Sequence, residues 1–402
     1  MSGSLLTPNF IGLCRGLTEV LLGVVSAIFH ALQLPGVGDW FMSPGVVVFC
    51  TYLIAVLVMT IWAALVNLLT VMWVERKLYS RIQDRRGIML AFPWPWSRKY
   101  KMGVTNMGWG FLQNIADGVK LLQKENVTPA SADKLLFHAA PALIVSSTLM
   151  VFAVFPFSES FYYTKVALGI LFIIAALSLG PIAIIIAGYS SNNKYTLIGG
   201  LRAAALMMSY EIPLILSVIA VVVLNGTLDP FEMVAAQEKP LLGTMIPSWN
   251  IFSPPQILGF VIFFIALVAE LERIPFDIPE ADAELVEGWT TEYGGMRFGF
   301  LFGFKWLRAF AGAGLLVLLY FGGWNGPVFT TVSLLGYPIP IVPQEIWFLL
   351  KVYLVVMVII WISWSIPRVR IDQVLRIGWS RMIPLALLTI LGATVFKAMG
   401  WF

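Results

Sequence analysis

The sequence predicts an all-α polytopic membrane protein with about eight transmembrane helices and a further N-terminal helix. Of the 402 residues, 59% are hydrophobic and 12% are charged. That charged fraction is roughly half of what a soluble domain carries. The mean hydropathy is +0.86, and long uncharged stretches recur along the chain. Helices are the expected spanning elements because lipid cannot satisfy the polar groups of an open backbone.

Residues 1–45 are predicted to form a separate N-terminal extension. The stretch 10–32 is apolar, and Arg15 and Glu19 lie four residues apart, the spacing of a helical ion pair. Its uncharged part, 20–32, is short for a full crossing of the hydrocarbon layer. We therefore expect an interfacial helix or an additional crossing, which ends near the Leu-Pro-Gly sequence that follows.

Eight stretches from residue 46 onward are long enough, or nearly so, to cross the hydrocarbon layer. They lie at about 46–73, 135–157, 166–188, 210–225, 257–272, 304–322, 346–366 and 383–400. The fourth and fifth are short and flanked by charge, so the sequence defines their ends less sharply than those of the others.

The distribution of positive charge predicts the orientation. With eight alternating spans, one side of the membrane holds the loops 74–134, 189–209, 273–303 and 367–382. On that side fall 21 of the 26 Lys and Arg residues. Because an excess of these residues marks cytoplasmic loops, we expect these four loops to be cytoplasmic. The basic residues are spread among membrane loops rather than along one soluble face, which argues against a nucleic-acid partner.

The chain is expected to bind no metal or redox cofactor by itself. Cys14 and Cys50 are the only cysteines and lie 36 positions apart, without a Cys-x-x-Cys motif. They cannot supply an iron–sulfur cluster or a structural zinc site on their own. His30 and His138 are the only histidines, and a two-haem site with two His ligands per haem would need four. Any electron transfer is therefore expected in partner subunits.

The most informative stretch is 269–297, AELERIPFDIPEADAELVEGWTTEYGGMR. It holds eight of the 22 acidic residues, beside the end of an apolar run: Glu270, Glu272, Asp277, Glu280, Asp282, Glu284, Glu287 and Glu292. A carboxylate at the end of a membrane helix is costly unless it is wet, paired or protonated. The cluster indicates a site that holds, moves or responds to positive charge; the alternative is a solvated acidic loop.

Two prolines interrupt this segment. Pro275 and Pro279 predict that the span ends, the chain turns and a new short helix begins near Glu280. On that helix Glu280, Glu284 and Glu287 would share one face, at positions i, i+4 and i+7. Neighbouring carboxylates raise one another's proton affinity and titrate as a coupled unit.

The other loops carry weaker signals. The run VERKLYSRIQDRRG predicts a basic cluster beside anionic lipid headgroups or a docking face for a soluble partner, and an ion pair between Glu75 and Arg76 also fits. The run FLQNIADGVKLLQKE predicts an amphipathic interfacial helix, which either anchors the loop or lines a ligand entrance. Glu211 begins an apolar run, where a helix dipole also favours an acid. Asp372 is expected to pair with a neighbouring Arg.

These loops closely resemble the quinone-site membrane subunit of respiratory complex I, the family that includes mitochondrial subunit 1. The matching segments, in family order, are VERK with QDRRG, ADGVKLLQKE, GYSSNNKYTLIGGLRAAALMMSYE, AELERIPFDIPEADAELVEGWTTEYGGMRFGFLFG and PRVRIDQVLRIGWSRMIP. The resemblance runs from about Tyr52 to the C-terminus, and it identifies 46–402 as a transmembrane domain of this family.

The resemblance implies a membrane subunit of a proton-pumping quinone oxidoreductase in the cell inner membrane, without a redox centre of its own. Such a subunit forms most of the tunnel for a lipid quinone. It implies hydrophilic-arm docking and iron–sulfur subunits, flavin in a partner, and other membrane-arm subunits. The positions that match the acidic proton-coupling path are Glu211, Glu270, Asp277, Glu280, Asp282 and Glu284. Those assigned to the quinone tunnel, its entrance and docking are Arg76, Arg85, Asp117, Lys120, Arg202 and Arg273.

The sequence departs from the family at three places. Gly87-Ile88 stands where Gly-Pro is usual, the stretch 88–110 is longer than is common, and Glu287 adds an acid where a small residue is usual. Two other functions stay open: a membrane anchor of an energy-converting hydrogenase, and a stand-alone cation/proton antiporter. The residues also leave open the donor (NADH, deazaflavin or ferredoxin) and the choice between proton and sodium.

Overall fold

The computed structural model of the chain describes most of its length. The described residues are 10–31, 70–85, 87–88, 110, 113–159, 161–238, 248–279, 281–326, 331–334, 337–340 and 343–399, together with scattered positions between 43 and 58.

The described part of the chain is almost entirely helical, which confirms the predicted fold class. The helices are α1 (Phe10–Ala31), α2 (Met72–Ile82), α3 (Gln113–Gln123), α4 (Lys134–Val154), α5 (Gly169–Leu177), α6 (Leu179–Ser190), α7 (Lys194–Asn225), α8 (Pro230–Ala236), α9 (Pro254–Glu270), α10 (Asp282–Leu285), α11 (Gly295–Tyr320), α12 (Gln344–Ser365), α13 (Ile371–Ile377) and α14 (Ile383–Ala398). Two short strands, β1 (Thr331–Leu334) and β2 (Tyr337–Pro340), form an antiparallel hairpin.

Within the part of the chain that the structure describes, six helical segments are long and apolar enough to cross a membrane, and α9 is a shorter apolar helix of 17 residues. The six are Lys134–Val154, Gly169–Ser190, Lys194–Asn225, Gly295–Tyr320, Gln344–Ser365 and Ile371–Ala398. Together with α9 they correspond to seven of the eight predicted spans. The eighth, 46–73, lies mostly outside the described residues. The chain is a multi-pass membrane protein.

Three loop boundaries differ from the sequence-based expectation. The last helical segment is continuous from Ile371 to Ala398, so most of the predicted loop 367–382 is helical. Helix α7 begins at Lys194, so most of the predicted loop 189–209 is helical. Helix α11 begins at Gly295, well before the predicted start of that span. Both helices extend beyond the uncharged run because their polar first turns lie at the bundle end, where charge is tolerated. The length of the uncharged run therefore underestimates the length of these two helices.

The long N-terminal half of α7 is held by close backbone packing. A Cβ on Gly199 would lie 2.8 Å from the Cα atom of Gly288 and from the backbone nitrogen of Trp289. Only a residue without a side chain allows this approach. The contact fixes the short 3₁₀ turn Gly288–Thr290 against α7.

The core surrounds α11, which is buried along most of its length. Fully buried Phe152 of α4, Phe263 of α9 and Phe348 of α12 lie in the same hydrophobic cluster as Phe310 of α11. Because α11 is central, any charged residue along it must find a partner inside the bundle.

At the opposite end of α11 from Gly295, a buried lysine of α12 closes the helix. The Lys351 ammonium donates to the backbone carbonyl oxygens of Phe321, Gly323 and Asn325 at 2.7, 2.9 and 2.6 Å. The last carbonyls of a helix have no partner within it. Lys351 supplies donors for the turns that follow the helix, and its ammonium also lies 4.7 Å from the centre of the Trp249 ring.

Candidate functional site

The four loops that the sequence assigns to one side contact one another at one end of the bundle. Arg368 lies 3.3 Å from Asp277, which joins the loop after α12 to the loop after α9. The Asn193 amide donates to Glu292 at 2.7 Å, and the Asn192 amide donates to the Ser131 carbonyl at 3.1 Å. The acidic segment 269–297 is thus surrounded by the other three loops.

Inside this end lies a buried ion pair between α9 and α11. The Arg308 Nη2 and Glu270 Oε1 atoms are 2.9 Å apart, and both side chains are 7% exposed. Arg308 also donates to the carbonyl oxygen of Leu177 at 3.3 Å. A Cβ on Gly180 would overlap the guanidinium, so this glycine makes room for it. Such a pair holds both charges in a low dielectric, where each depends on the other.

A third charged group lies beside this pair. Glu211, on α7, interacts electrostatically with Arg308 and faces the Ser178 hydroxyl. It also interacts electrostatically with Glu270. Three transmembrane helices, α7, α9 and α11, therefore bring two carboxylates and one guanidinium to a common site.

A second ion pair lies one turn closer to the N-terminal end of α11. The Lys305 Nζ and Glu272 Oε2 atoms are 3.5 Å apart, and the Glu272 side chain is 3% exposed. Glu272 follows the end of α9, while Lys305 precedes Arg308 by three residues. Residues at i and i+3 share a helix face. The two cations of α11 consequently face the two acids at the end of α9.

A small cavity of about 20 Å³ adjoins both pairs, and we call it the inner cavity. It is lined by Ile144, Ile184, Met207, Glu270, Leu271, Glu272, Trp289, Leu301, Lys305 and Arg308. Its volume suits about one water molecule. The buried Glu270 Oε2 atom has no hydrogen-bond partner among the described residues. The polar lining gives a water molecule groups to bind.

A larger cavity of about 220 Å³, the outer cavity, lies on the loop side of the inner cavity. It is lined by Asp277, Glu287, Trp289, Thr290, Phe298, Leu301, Phe302, Lys305 and Arg368. The Asp277–Arg368 pair is thus on its wall, with the Arg368 side chain 41% exposed. This cavity connects the loop surface with the Lys305 side chain.

A further buried pair links α2 to the loop after α9. Arg273 Nη1 lies 3.2 Å from Glu75 Oε1, and the guanidinium stacks 3.7 Å from the centre of the Trp306 ring. Burial raises the pKa of Glu75 above its ordinary value, while the positive charges of Arg273, Arg76 and Lys305 oppose that rise. The predicted pairing of Glu75 with Arg76 is therefore replaced by one with Arg273.

The remaining predicted entrance residues are partly or fully exposed on the same loops. Arg76 pairs with Asp117 of α3 at 2.6 Å, and both side chains are about one-third exposed. Arg85 is exposed and lies 4.9 Å from the centre of the Tyr79 ring. Lys120 is exposed on α3. The run that predicted an amphipathic helix forms one, with the bounds Gln113–Gln123.

The acidic residues beyond Asp277 are arranged differently from the prediction. Helix α10 ends at Leu285, and Val286 has a φ of +65°, so Glu284 and Glu287 do not share a helix face. The three-acid face was therefore wrong: the turn fixed against α7 interrupts the helix. Glu284 is mostly exposed and pairs with Arg202 at 2.6 Å.

The two other acids of the predicted path are only partly located. Glu280 lies outside the described residues, and Asp282 begins α10. Within the described part of the chain, no group of three His, Cys, Asp or Glu side chains is arranged to hold a metal ion.

Two charged residues of this site were missed by the sequence reasoning. Lys305 and Arg308 partner the buried acids, yet they lie inside a predicted span and received no role. A signal was present, because two cations at i and i+3 in an apolar helix require partners. The chain offers those partners at the end of the preceding span, in Glu270 and Glu272.

Comparison with known proteins agrees with the predicted family. The NADH dehydrogenase family model matches residues 53–394. The H subunit of NADH-quinone oxidoreductase from Bacillus mycoides strain KBAB4 is 44% identical over 299 residues, which are 74% of this chain and 84% of the relative. The protein of the same name from Bacillus cereus strain B4264 is 43% identical over the same shares. The chain belongs to the family of NADH-quinone oxidoreductase H subunits.

Proposed function

We propose that this chain is the membrane subunit of a proton-pumping quinone oxidoreductase, in which it forms the quinone chamber and the start of the acidic proton-coupling path. The observation that carries the proposal is a connected series of charged groups. It starts at Asp277 in the outer cavity, continues through Lys305 and Glu272, and reaches Glu270 with Arg308. Glu211 extends it into α7.

Electrostatics explains how such a series would couple two reactions. Reduction of a quinone near this end adds negative charge, which attracts protons toward the nearest carboxylates. Coulomb interactions are strong at low dielectric, so a charge that forms in the chamber acts on Glu272 and Glu270 across several ångströms. At rest the positive charge of Arg308 compensates the negative charge of Glu270. A change in the protonation of Glu270 then changes the electrostatic potential at Glu211.

Location, substrate and partners belong to the same proposal. The enzyme would lie in the cell inner membrane, with 74–134, 189–209, 273–303 and 367–382 on the cytoplasmic side. A lipid quinone is the substrate, while flavin and iron–sulfur clusters belong to partner subunits. The exposed Arg85 and the Arg76–Asp117 pair suit the docking of the hydrophilic arm, because they place charged side chains on the loop surface.

The decisive experiment replaces two acids in the assembled enzyme. We expect Glu270→Gln and Glu211→Gln each to lower proton pumping at least about tenfold, equivalent to roughly 1.4 kcal/mol in a barrier. Quinone reduction and proton pumping are measured in inverted membrane vesicles with NADH as the donor.

Glu159→Gln provides the matched control, because Glu159 is exposed and lies at the other end of α4 from the charged site. It should leave both rates unchanged. Wild-type rates of reduction and pumping in both site variants would refute the acidic path.

A further inference from the structure

The inner and outer cavities share one wall. Among the described residues, Trp289, Leu301 and Lys305 line both of them. The inner cavity holds Glu270 and Glu272, and the outer cavity holds the groups nearer the loop surface. A proton that moves directly from one cavity to the other therefore crosses this wall.

Two of the three shared residues offer no route for a proton. Leu301 is 3% exposed and apolar. Trp289 is 4% exposed, and its indole nitrogen has no hydrogen-bond partner among the described residues. An indole N–H is a donor only, so it can orient a water molecule but cannot accept a proton and pass it on.

The tryptophan is held in place by its surroundings. Its backbone nitrogen packs against Gly199 of α7. Four residues later, Tyr293 stacks on Phe137 of α4, with ring centres 4.3 Å apart, and its hydroxyl donates to the Phe137 carbonyl at 3.3 Å. Trp289 is thus anchored on both sides, as part of a fixed wall rather than of a mobile loop.

Lys305 is the shared residue that can both accept and release a proton. Its side chain lines the outer cavity, while its ammonium lies 3.5 Å from the Glu272 carboxylate. Its charge also acts on Glu75. A lysine amine changes its protonation readily when it is buried, whereas an arginine guanidinium stays protonated in proteins.

Building on the proposed function, we propose that Lys305 carries protons through the wall between the two cavities. In the first step the ammonium gives one proton to the Glu272 carboxylate, which leaves a neutral amine and a carboxylic acid. In the second step the amine takes one proton from water or an acid of the outer cavity, such as Asp277 or Glu287. The net result is the transfer of one proton from the outer cavity to Glu272.

A different role for Lys305 would be that of a fixed counter-charge for Glu272. The two roles are separated by Lys305→Arg and Lys305→Met in the assembled enzyme. Arginine keeps the positive charge but does not release its proton, whereas methionine removes the charge. We expect both variants to lose proton pumping at least about tenfold, a bound below the roughly 10²–10⁴-fold that a proton-transferring side chain contributes. Lys134→Met, on the exposed start of α4, should pump as the wild type does.

The proposal is overturned, and the counter-charge role remains, if Lys305→Arg pumps protons within about twofold of the wild type. That difference is too small for loss of a proton carrier. If Lys305→Met fails to assemble, the arginine variant decides. The result is distinct from failure of the acidic path. If the acidic path is wrong, Glu270→Gln and Lys305→Arg both pump normally. If only the role of the lysine is wrong, Lys305→Arg pumps normally while Glu270→Gln still loses pumping.

A second-site test addresses the wall itself. Leu301→Ala opens the apolar part of the wall, so that water can join the two cavities without the lysine. In the Lys305→Arg background we expect Leu301→Ala to raise proton pumping at least about threefold over Lys305→Arg alone, as a water chain replaces the side chain. A double variant that pumps no better than Lys305→Arg would contradict the assignment of Leu301 to the wall.

Discussion

Arg308 and Glu270 are the residues whose roles are most tightly bound to each other. Both are buried, and the guanidinium occupies space that Gly180 leaves open. Loss of one partner leaves an uncompensated charge, which typically costs about 3–5 kcal/mol, while loss of both costs much less. The pair should therefore show strong coupling in stability.

We expect Arg308→Met to lower the thermal unfolding midpoint of the detergent-purified complex more than the double variant Arg308→Met/Glu270→Leu does. The single variant leaves the Glu270 carboxylate buried without its cation, whereas the double variant removes both charges. Arg15→Met, which breaks an exposed pair with Glu19, is the control and should have little effect. If the decreases in midpoint caused by Arg308→Met alone and by Glu270→Leu alone add up to that of the double variant, the two groups do not interact.

The residue scale also shows what sequence reasoning can reach. Glu270 could be predicted because an acid at the end of an apolar run has few acceptable environments. Its partner could not, since the spacing of Lys305 and Arg308 defines a helix face but not the helix that lies opposite. Glu75 illustrates the same limit: its partner Arg273 is 198 positions away in the chain.

At the scale of elements, the contact between α7 and the turn Gly288–Thr290 determines the shape of the acidic segment. The prolines correctly predicted that the span ends and that a short helix follows. The length of that helix was wrong, because it depends on packing: the chain turns at Val286 and approaches Gly199 closely. Local propensity contains no information on such a contact.

Gly199→Ala should therefore be destabilising. A methyl group there would meet the backbone of Gly288 at 2.8 Å, and backbone cannot move aside as a flexible side chain does. Overpacking of this kind costs about 1–3 kcal/mol, so we expect a lower unfolding midpoint and reduced quinone reduction. Gly118→Ala is the control, because Gly118 on α3 faces open space. Equal midpoints for the two variants would contradict the close approach.

For the whole molecule, the family and the class of membrane protein were predictable from long motifs and composition. Seven of the eight predicted spans have helical counterparts, but their ends differ where charged turns extend a helix. The convergence of four loops at one end followed from the alternation of spans. The pairing of charges within that end required the three-dimensional packing of α7, α9 and α11.

The whole chain is also the scale at which the antiporter alternative is tested. We expect the purified chain in liposomes to show no sodium- or potassium-dependent proton exchange, because the proposed path responds to a reaction in partner subunits. The measurement is a pH-sensitive dye inside the vesicles after a salt jump, with empty liposomes as the reference. Exchange that exceeds this reference and is lost in Glu270→Gln would favour the antiporter.

The shortness of α9 has a structural consequence. Its 17 residues span about 25 Å at 1.5 Å per residue, against a hydrocarbon thickness of about 30 Å. A helix of this length that starts at one headgroup level ends short of the other, and a bilayer tolerates the irregular backbone that follows only where protein or water surrounds it. Leu271 and Glu272, which follow α9, are both buried within this chain, so its other helices and loops separate that stretch of backbone from lipid without a partner subunit.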